Sequence, residues 1–229
     1  MVPTPIGNLE DLTERALKVL SEVDLVACED TRHTGQLLSR LNIKKKLISY
    51  HEHNEFERAN NLIQMLKNGE SVAVVSDAGS PGISDPGFRV VRAAIENNIQ
   101  VVPLPGANSI IPALIASGLP TDRFLFEGYL SHKSAARKRR LEELRDFPHT
   151  LIFFESPFRI GKCLENMLEV FGDRQVSVAR ELTKIHEEFI RGKLDKVVKN
   201  VSSRKIKGEI VIVVAGKSFT DKSNAGIDE

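Results

Sequence analysis

The 229-residue sequence predicts an α/β protein of two domains, the first with a mostly parallel sheet and the second with a mixed sheet. Three observations carry this. Short β-branched runs alternate with longer amphipathic segments, the rhythm of a sheet covered by helices. Loops rich in glycine and proline follow those runs, at the edge where parallel sheets bind ligands. The texture then changes after Pro120, which predicts domains over 1–119 and 120–219 and a polar tail over 220–229.

Taken in order, Met1-Val2 leaves little room before Pro3 and Pro5, so the opening strand is either very short or lacks residues. A helical pattern over 12–22 leads into the strand Leu25-Val26-Ala27-Cys28. Over 55–68, Ala59, Leu62, Ile63 and Leu66 recur at the helical period, with Gly69 as the stop. Strands at 72–75 and 100–103 bracket a helix at 88–97, and Ser109 is placed to start another. The second half opens with the strand-like Arg123-Phe124-Leu125-Phe126, a basic helix at 134–145 and the apolar run Thr150 to Phe154. A helix at 159–171 ending at Gly172, strands near 175–180, 187–191 and 209–215, and a helix at 193–200 complete it, with antiparallel pairs expected.

Hydrophobic residues at 41% and charged residues at 28% match ordinary globular chains, which excludes bulk disorder and fibrous repeats. Thirty-two Lys and Arg against 31 Asp and Glu give a net charge of +1, so any pull toward nucleic acid must come from local clustering. Two distant cysteines, Cys28 and Cys163, argue against a disulfide framework and for a reducing cytoplasm. No run reaches the roughly 18 apolar residues of a membrane span, and no secretory signal opens the chain.

The segment from Ser76 to Gly87 joins a buried-type strand to a helix and is twice the usual length for such a connection. Its three glycines permit positive φ and close backbone approach, its prolines stiffen the path, and Asp77 and Asp85 can accept hydrogen bonds, so a small polar ligand is the expected occupant. Two further loops, Pro3 to Asn8 and Pro103 to Ser109, repeat the arrangement. Neither a Walker loop nor a G-x-G-x-x-G is present, which disfavours a triphosphate or dinucleotide cradle.

Glu29-Asp30-Thr31-Arg32 and Tyr50 to Glu55 also end strands and offer groups for a general base or a substrate clamp. Arg32 is read either as functional or as a cation paired with Asp30. His51 and His53 lack an obvious third ligand, so no metal site is assigned. Glu155 either lines a site or compensates the helix that starts near Arg159. Lys133, Arg137, Lys138, Arg139 and Arg140 concentrate positive charge on one helix, which predicts attraction to RNA phosphates, although such faces also serve solubility.

Pro3 to Leu9, Glu29 to Arg32, Ser76 to Gly87, Pro105-Gly106, Phe154 to Pro157, Arg180 to Lys184 and Lys207 to Glu209 together resemble the ribosomal RNA small-subunit methyltransferase I family of the tetrapyrrole methylase superfamily. The resemblance implies a two-domain class III methyltransferase fold with its cofactor in the interdomain cleft, usually a homodimer. It also implies S-adenosylmethionine-dependent 2′-O-ribose methylation of a cytidine in 16S ribosomal RNA. By position it assigns cofactor contacts to Ile6, Asp77, Ala78, Gly79, Ile83, Asn108, Ser109, Glu155 and Glu181. For the methyl transfer itself, the shared strand edge makes Asp30 and His51 candidate bases and Arg32 and Lys184 candidate phosphate holders. The alternatives are a superfamily enzyme acting on a tetrapyrrole or a modified histidine, and a non-catalytic ribosome-binding protein.

Overall fold

A computed structural model describes residues 1–220 as two compact units, Met1–Asn108 and a second that begins at Ser109. In the first unit, β1 (Leu25–Cys28) lies between β2 (Lys46–Ser49) and β3 (Val72–Val74), all parallel. Every residue of β1 is buried because helices cover both faces. Val26 and Cys28 pack with Ala16 and Leu20 of α1 (Glu14–Glu22) and Leu38 of α2 (Thr31–Arg40). Leu25 and Ala27 pack on the other side with Ala59 and Leu62 of α3 (Glu55–Lys67) and Val90 of α4 (Phe88–Glu96). The two-residue alternation of a strand thus divides one short run between two cores.

The 100–103 stretch is not a strand. It is tied instead to the chain start, where the Met1 α-amino group donates to the Val102 carbonyl and the Leu104 amide donates to the Met1 carbonyl. Val2 donates to Val74, which sets the opening residues beside β3. Helix α2 is absent from the sequence-based expectation because its apolar positions are sparse. Asp30 caps it, accepting from the Arg32 amide.

The second unit starts earlier than the expected 119/120 boundary because α5 (Ile110–Ile115) packs against β8 (Ile210–Val214). Its sheet runs β4 (Phe124–Tyr129), β5 (Thr150–Glu155), β8, β6 (Gln175–Arg180), β7 (Glu188–Lys193). Only the β4–β5 pair is parallel; the remaining pairs are antiparallel, as the mixed-sheet expectation required. Leu151, Phe153, Val178 and Ile212 pack with α6 (Ser134–Leu144), α7 (Ile160–Phe171) and α8 (Leu194–Ser202) through Leu141, Met167 and Val197. No helix among the described residues is long and apolar enough to cross a membrane. Of the expected tail, 221–229 lie outside the described residues.

Candidate functional site

Three loops of the first unit are stitched together at the carboxyl end of its sheet. Thr4 and Gly79 exchange backbone hydrogen bonds of 2.9 Å in both directions. The buried Thr4 hydroxyl donates to the Ser76 carbonyl at 3.1 Å, Ser76 Oγ donates to the Gly79 carbonyl at 3.2 Å, and Ser80 Oγ donates to the Ala107 carbonyl at 3.3 Å. Gly106 lies so close to Pro3 that a side-chain carbon there would come within 2.8 Å of the proline ring. Gly79 takes φ +85°, a conformation glycine adopts without steric cost, and its open face looks onto Ile6, Ala107 and Asn108. Ile6 and Gly79 are buried in this knot, Asp77 is half-buried, and Ala78 and Ile83 are exposed. The loops predicted to share one edge therefore do share it, held by the Thr4–Gly79 backbone pair and by the hydroxyls of Thr4, Ser76 and Ser80.

Carboxylates crowd the same edge. Asp77 Oδ1 accepts from the Asp30 amide at 3.2 Å. Burial, and then the negative charges of Asp85, Asp77, Glu52 and Asp30, push the Glu29 carboxyl above its ordinary value. Burial likewise pushes Asp85 up, with Asp77 adding and the Ser76 hydroxyl opposing. Such a cluster is uncomfortable when empty of cations and suits a positively charged ligand.

Asp30 is different. The Arg32 side chain and the Arg32 amide hold its carboxyl down to about 2, with bonds of 3.0 and 2.8 Å to the guanidinium and the amide. A carboxylate so placed is a poor proton acceptor near neutrality; it caps α2 and orients Arg32, whose own charge is thereby paired in the open. His51 is fixed by Asn54. The Asn54 side-chain amide lies 3.1 Å from His51 Nε2, and the His51 backbone amide donates to Asn54 Oδ1 at 2.9 Å. His51 Nδ1 is buried without a hydrogen-bond partner among the described residues. Among the described residues no three His, Cys, Asp or Glu side chains are grouped to hold a metal ion.

The remaining expected residues belong to the second unit. Ser109 opens it as the residue before α5, without a side-chain cap. The Glu155 side chain is fully buried; it binds Arg159 at 2.6 Å and accepts from the Ser156 amide at 2.7 Å. Its Oε1 thus braces the turn into α7, while Oε2 is buried without a hydrogen-bond partner among the described residues. Glu181, at φ +52°, accepts from Lys184 at 3.0 Å and from the Glu209 amide at 3.1 Å. Burial works to raise its carboxyl, but Lys184 and that amide outweigh it and hold it low. Lys184 also pairs with Glu209, so its charge closes the turns rather than waiting for phosphate.

The basic helix α6 also corrects its expectation. Arg137 is buried and donates to Asn166 at 2.8 Å, Lys138 pairs with Glu169 at 2.6 Å, and Arg140 pairs with both Glu127 and Glu143 at 2.6 Å. Lys133 and Arg139 remain as its exposed cations. Spacing along α6 disclosed the charges but not their partners, which come from β4, α7 and α6 itself.

Sequence reasoning passed over Glu29 as an individual residue, although it stands beside Asp30. The signal that singles it out, burial among four other carboxylates, exists only after folding.

A Rossmann-like parallel unit with glycine-lined loops followed by a mixed-sheet unit defines the class: the chain belongs to the tetrapyrrole methylase family, whose model, Tetrapyrrole (Corrin/Porphyrin) Methylases, matches residues 1–198. It is a methyltransferase. Among curated relatives, it is 50% identical over 216 residues to the ribosomal RNA small subunit methyltransferase I of Streptococcus pyogenes serotype M18, spanning 94% of this chain and 75% of that protein. The protein of the same name from Synechocystis sp. is 48% identical over 223 residues, spanning 97% and 80%. In fold, the chain resembles uroporphyrin-III-C-methyltransferase from Thermus thermophilus, with a TM-score of 0.64, 23% identity, and 95% and 93% of the two chains covered. A second structure of that enzyme, complexed with S-adenosyl homocysteine, gives a TM-score of 0.62 at 19% identity, covering 95% and 96%.

Proposed function

We propose that the protein methylates the ribose 2′-hydroxyl of a cytidine in small-subunit (16S) ribosomal RNA, using S-adenosylmethionine. The observation that carries this is identity near 50% along 94% of the chain to proteins named for that ribosomal subunit. The residues of the first unit fit the cofactor's chemistry: its sulfonium and ammonium are cations, and Glu29, Asp77 and Asp85 form an acidic edge around glycine-lined loops. Ile6, Asp77, Ala78, Gly79, Ile83 and Asn108 are the proposed contacts there.

When bound, S-adenosylmethionine would supply a methyl group for in-line attack by the ribose oxygen, the C–O bond forming as the C–S bond breaks and S-adenosylhomocysteine leaves. The chain's part is to align the hydroxyl and take its proton; alignment alone is worth about 7–11 kcal/mol. Glu29 suits the base role better than Asp30, because its raised carboxyl binds a proton more readily. His51 can serve only by releasing the Asn54 amide. The protein is further proposed to act as a cytoplasmic homodimer; exposed Ile115 and Phe124 supply apolar surface for pairing.

The test is tritiated methyl incorporation into naked 16S RNA, assembled small subunits and uroporphyrinogen, with nuclease mapping of the product. Label on a cytidine ribose supports the reading. Label on uroporphyrinogen alone, or no cofactor binding by calorimetry, overturns it in favour of a tetrapyrrole enzyme or a non-catalytic binding protein.

A further inference from the structure

The second unit carries a groove of about 420 Å³ between the turn that opens α7 and the turn joining α8 to β8. Its walls include Phe158, Ile160, Arg204, Lys205, Ile206 and Lys207. Phe158 is 92% exposed, an extreme position for a phenylalanine. Arg204 is neutralised by Glu188 at 2.6 Å. Lys205 and Lys207 are exposed and pair with no carboxylate among the described residues. An open aromatic face flanked by two unspent cations, at the positive end of a 12-residue helix, matches what single-stranded nucleic acid requires: a ring to stack on a base and charges to hold the adjoining phosphates. On α6, by contrast, most of the cations are spent on internal partners.

We infer that this groove docks a single-stranded stretch of the ribosomal RNA substrate, with Phe158 stacking on one base and Lys205 and Lys207 contacting phosphates. The inference rests on the RNA-methyltransferase reading above and adds where the RNA is gripped. Because the three side chains are exposed, replacing them leaves folding intact.

The experiment uses the full chain and a fluorescein-labelled RNA single strand of about ten nucleotides from the small-subunit RNA. Anisotropy is measured between 50 and 200 mM salt, roughly the range over which phosphate contacts dominate. Methyl transfer to small-subunit RNA is followed in parallel. Phe158→Ala is expected to weaken binding roughly 5- to 150-fold, and Phe158→Trp to restore it. Lys205→Gln with Lys207→Gln is expected to reduce the slope of log affinity against log salt by about 1.4, two phosphates at about 0.7 each. In both cases KM for RNA rises, while kcat and cofactor affinity hold.

Variants that bind RNA like the wild type, in a protein that does methylate it, overturn the groove and leave the enzymatic reading standing. RNA binding that depends on Phe158 without methyl transfer does the reverse. A wild-type protein that binds no RNA overturns both. Loss of dimerisation on Phe158→Ala, with unchanged RNA affinity, assigns the surface to a second copy of the chain and overturns the inference.

Discussion

Gly79 and Gly69 separate the backbone's part in ligand binding from its part in stability. Both have left-handed φ values, +85° and +90°. An alanine methyl at Gly69 meets nothing within 4 Å, while one at Gly79 sits 3.4 Å from Ile6 Cγ2 and 3.7 Å from the Ala107 carbonyl, ordinary contact distances without a clash. Each substitution therefore carries the same conformational cost, about 1–2 kcal/mol, which lowers the melting temperature by about 2–8 °C in a chain of this size. Only Gly79→Ala fills the space where the three loops meet. One misplaced methyl against a bound ligand is worth roughly ten- to 200-fold in affinity. Calorimetric titration with S-adenosylhomocysteine and a thermal melt on each variant read the two effects separately. Equal affinity in both variants refutes the placement of the ligand at the loop junction. An unchanged melting temperature at Gly69 refutes the conformational argument.

Glu29→Gln is expected to cut turnover roughly 10²- to 10⁴-fold with cofactor binding retained. In the wild type, kcat/KM falls as the pH drops through a point above 4.5, because the raised carboxyl must be ionised to accept the proton; Glu29→Gln removes that limb of the profile. Asp30→Ala lowers the melting temperature by uncapping α2 and Asp30→Asn restores it, since either side chain accepts from the Arg32 amide; loss of turnover in Asp30→Asn with unaltered stability would return Asp30 to the base role. Asn166→Leu takes an acceptor from the buried Arg137 guanidinium and is expected to cost about 1.5–3 kcal/mol by denaturant melt. Lys138→Gln leaves the salt dependence of RNA binding unchanged, because Glu169 already cancels that charge.

Local pattern was enough for much of the architecture. The helical period of Ala59, Leu62 and Ile63 and the stop at Gly69 placed α3, and the fully apolar β1 announced a strand covered on both faces. The length and glycine content of the Ser76–Gly87 segment singled it out as the proposed ligand loop, because conformational freedom is a property of residue type. Elements whose existence depends on distant partners were misjudged. The 100–103 run has the composition of a strand, but in the structure it is held by hydrogen bonds to and from the Met1 backbone rather than by ladder pairing with a strand. α5 reads as the end of the first domain until β8, some hundred residues later, supplies its packing surface.

Charge was the least legible quantity. The sequence by itself determined the fold class, the edge at which the loops gather and the kinds of side chain available there. Tertiary structure alone decided which of those side chains are already spent. Glu155 closes on Arg159, Lys184 on Glu181 and Glu209, and Arg137 on Asn166, while Glu29 is left among like charges and Lys205 and Lys207 are left open. The reason is physical: periodicity and backbone preference act over a few residues, whereas a charge's work depends on what the fold brings within a few ångströms, a matter on which neighbours in sequence are silent.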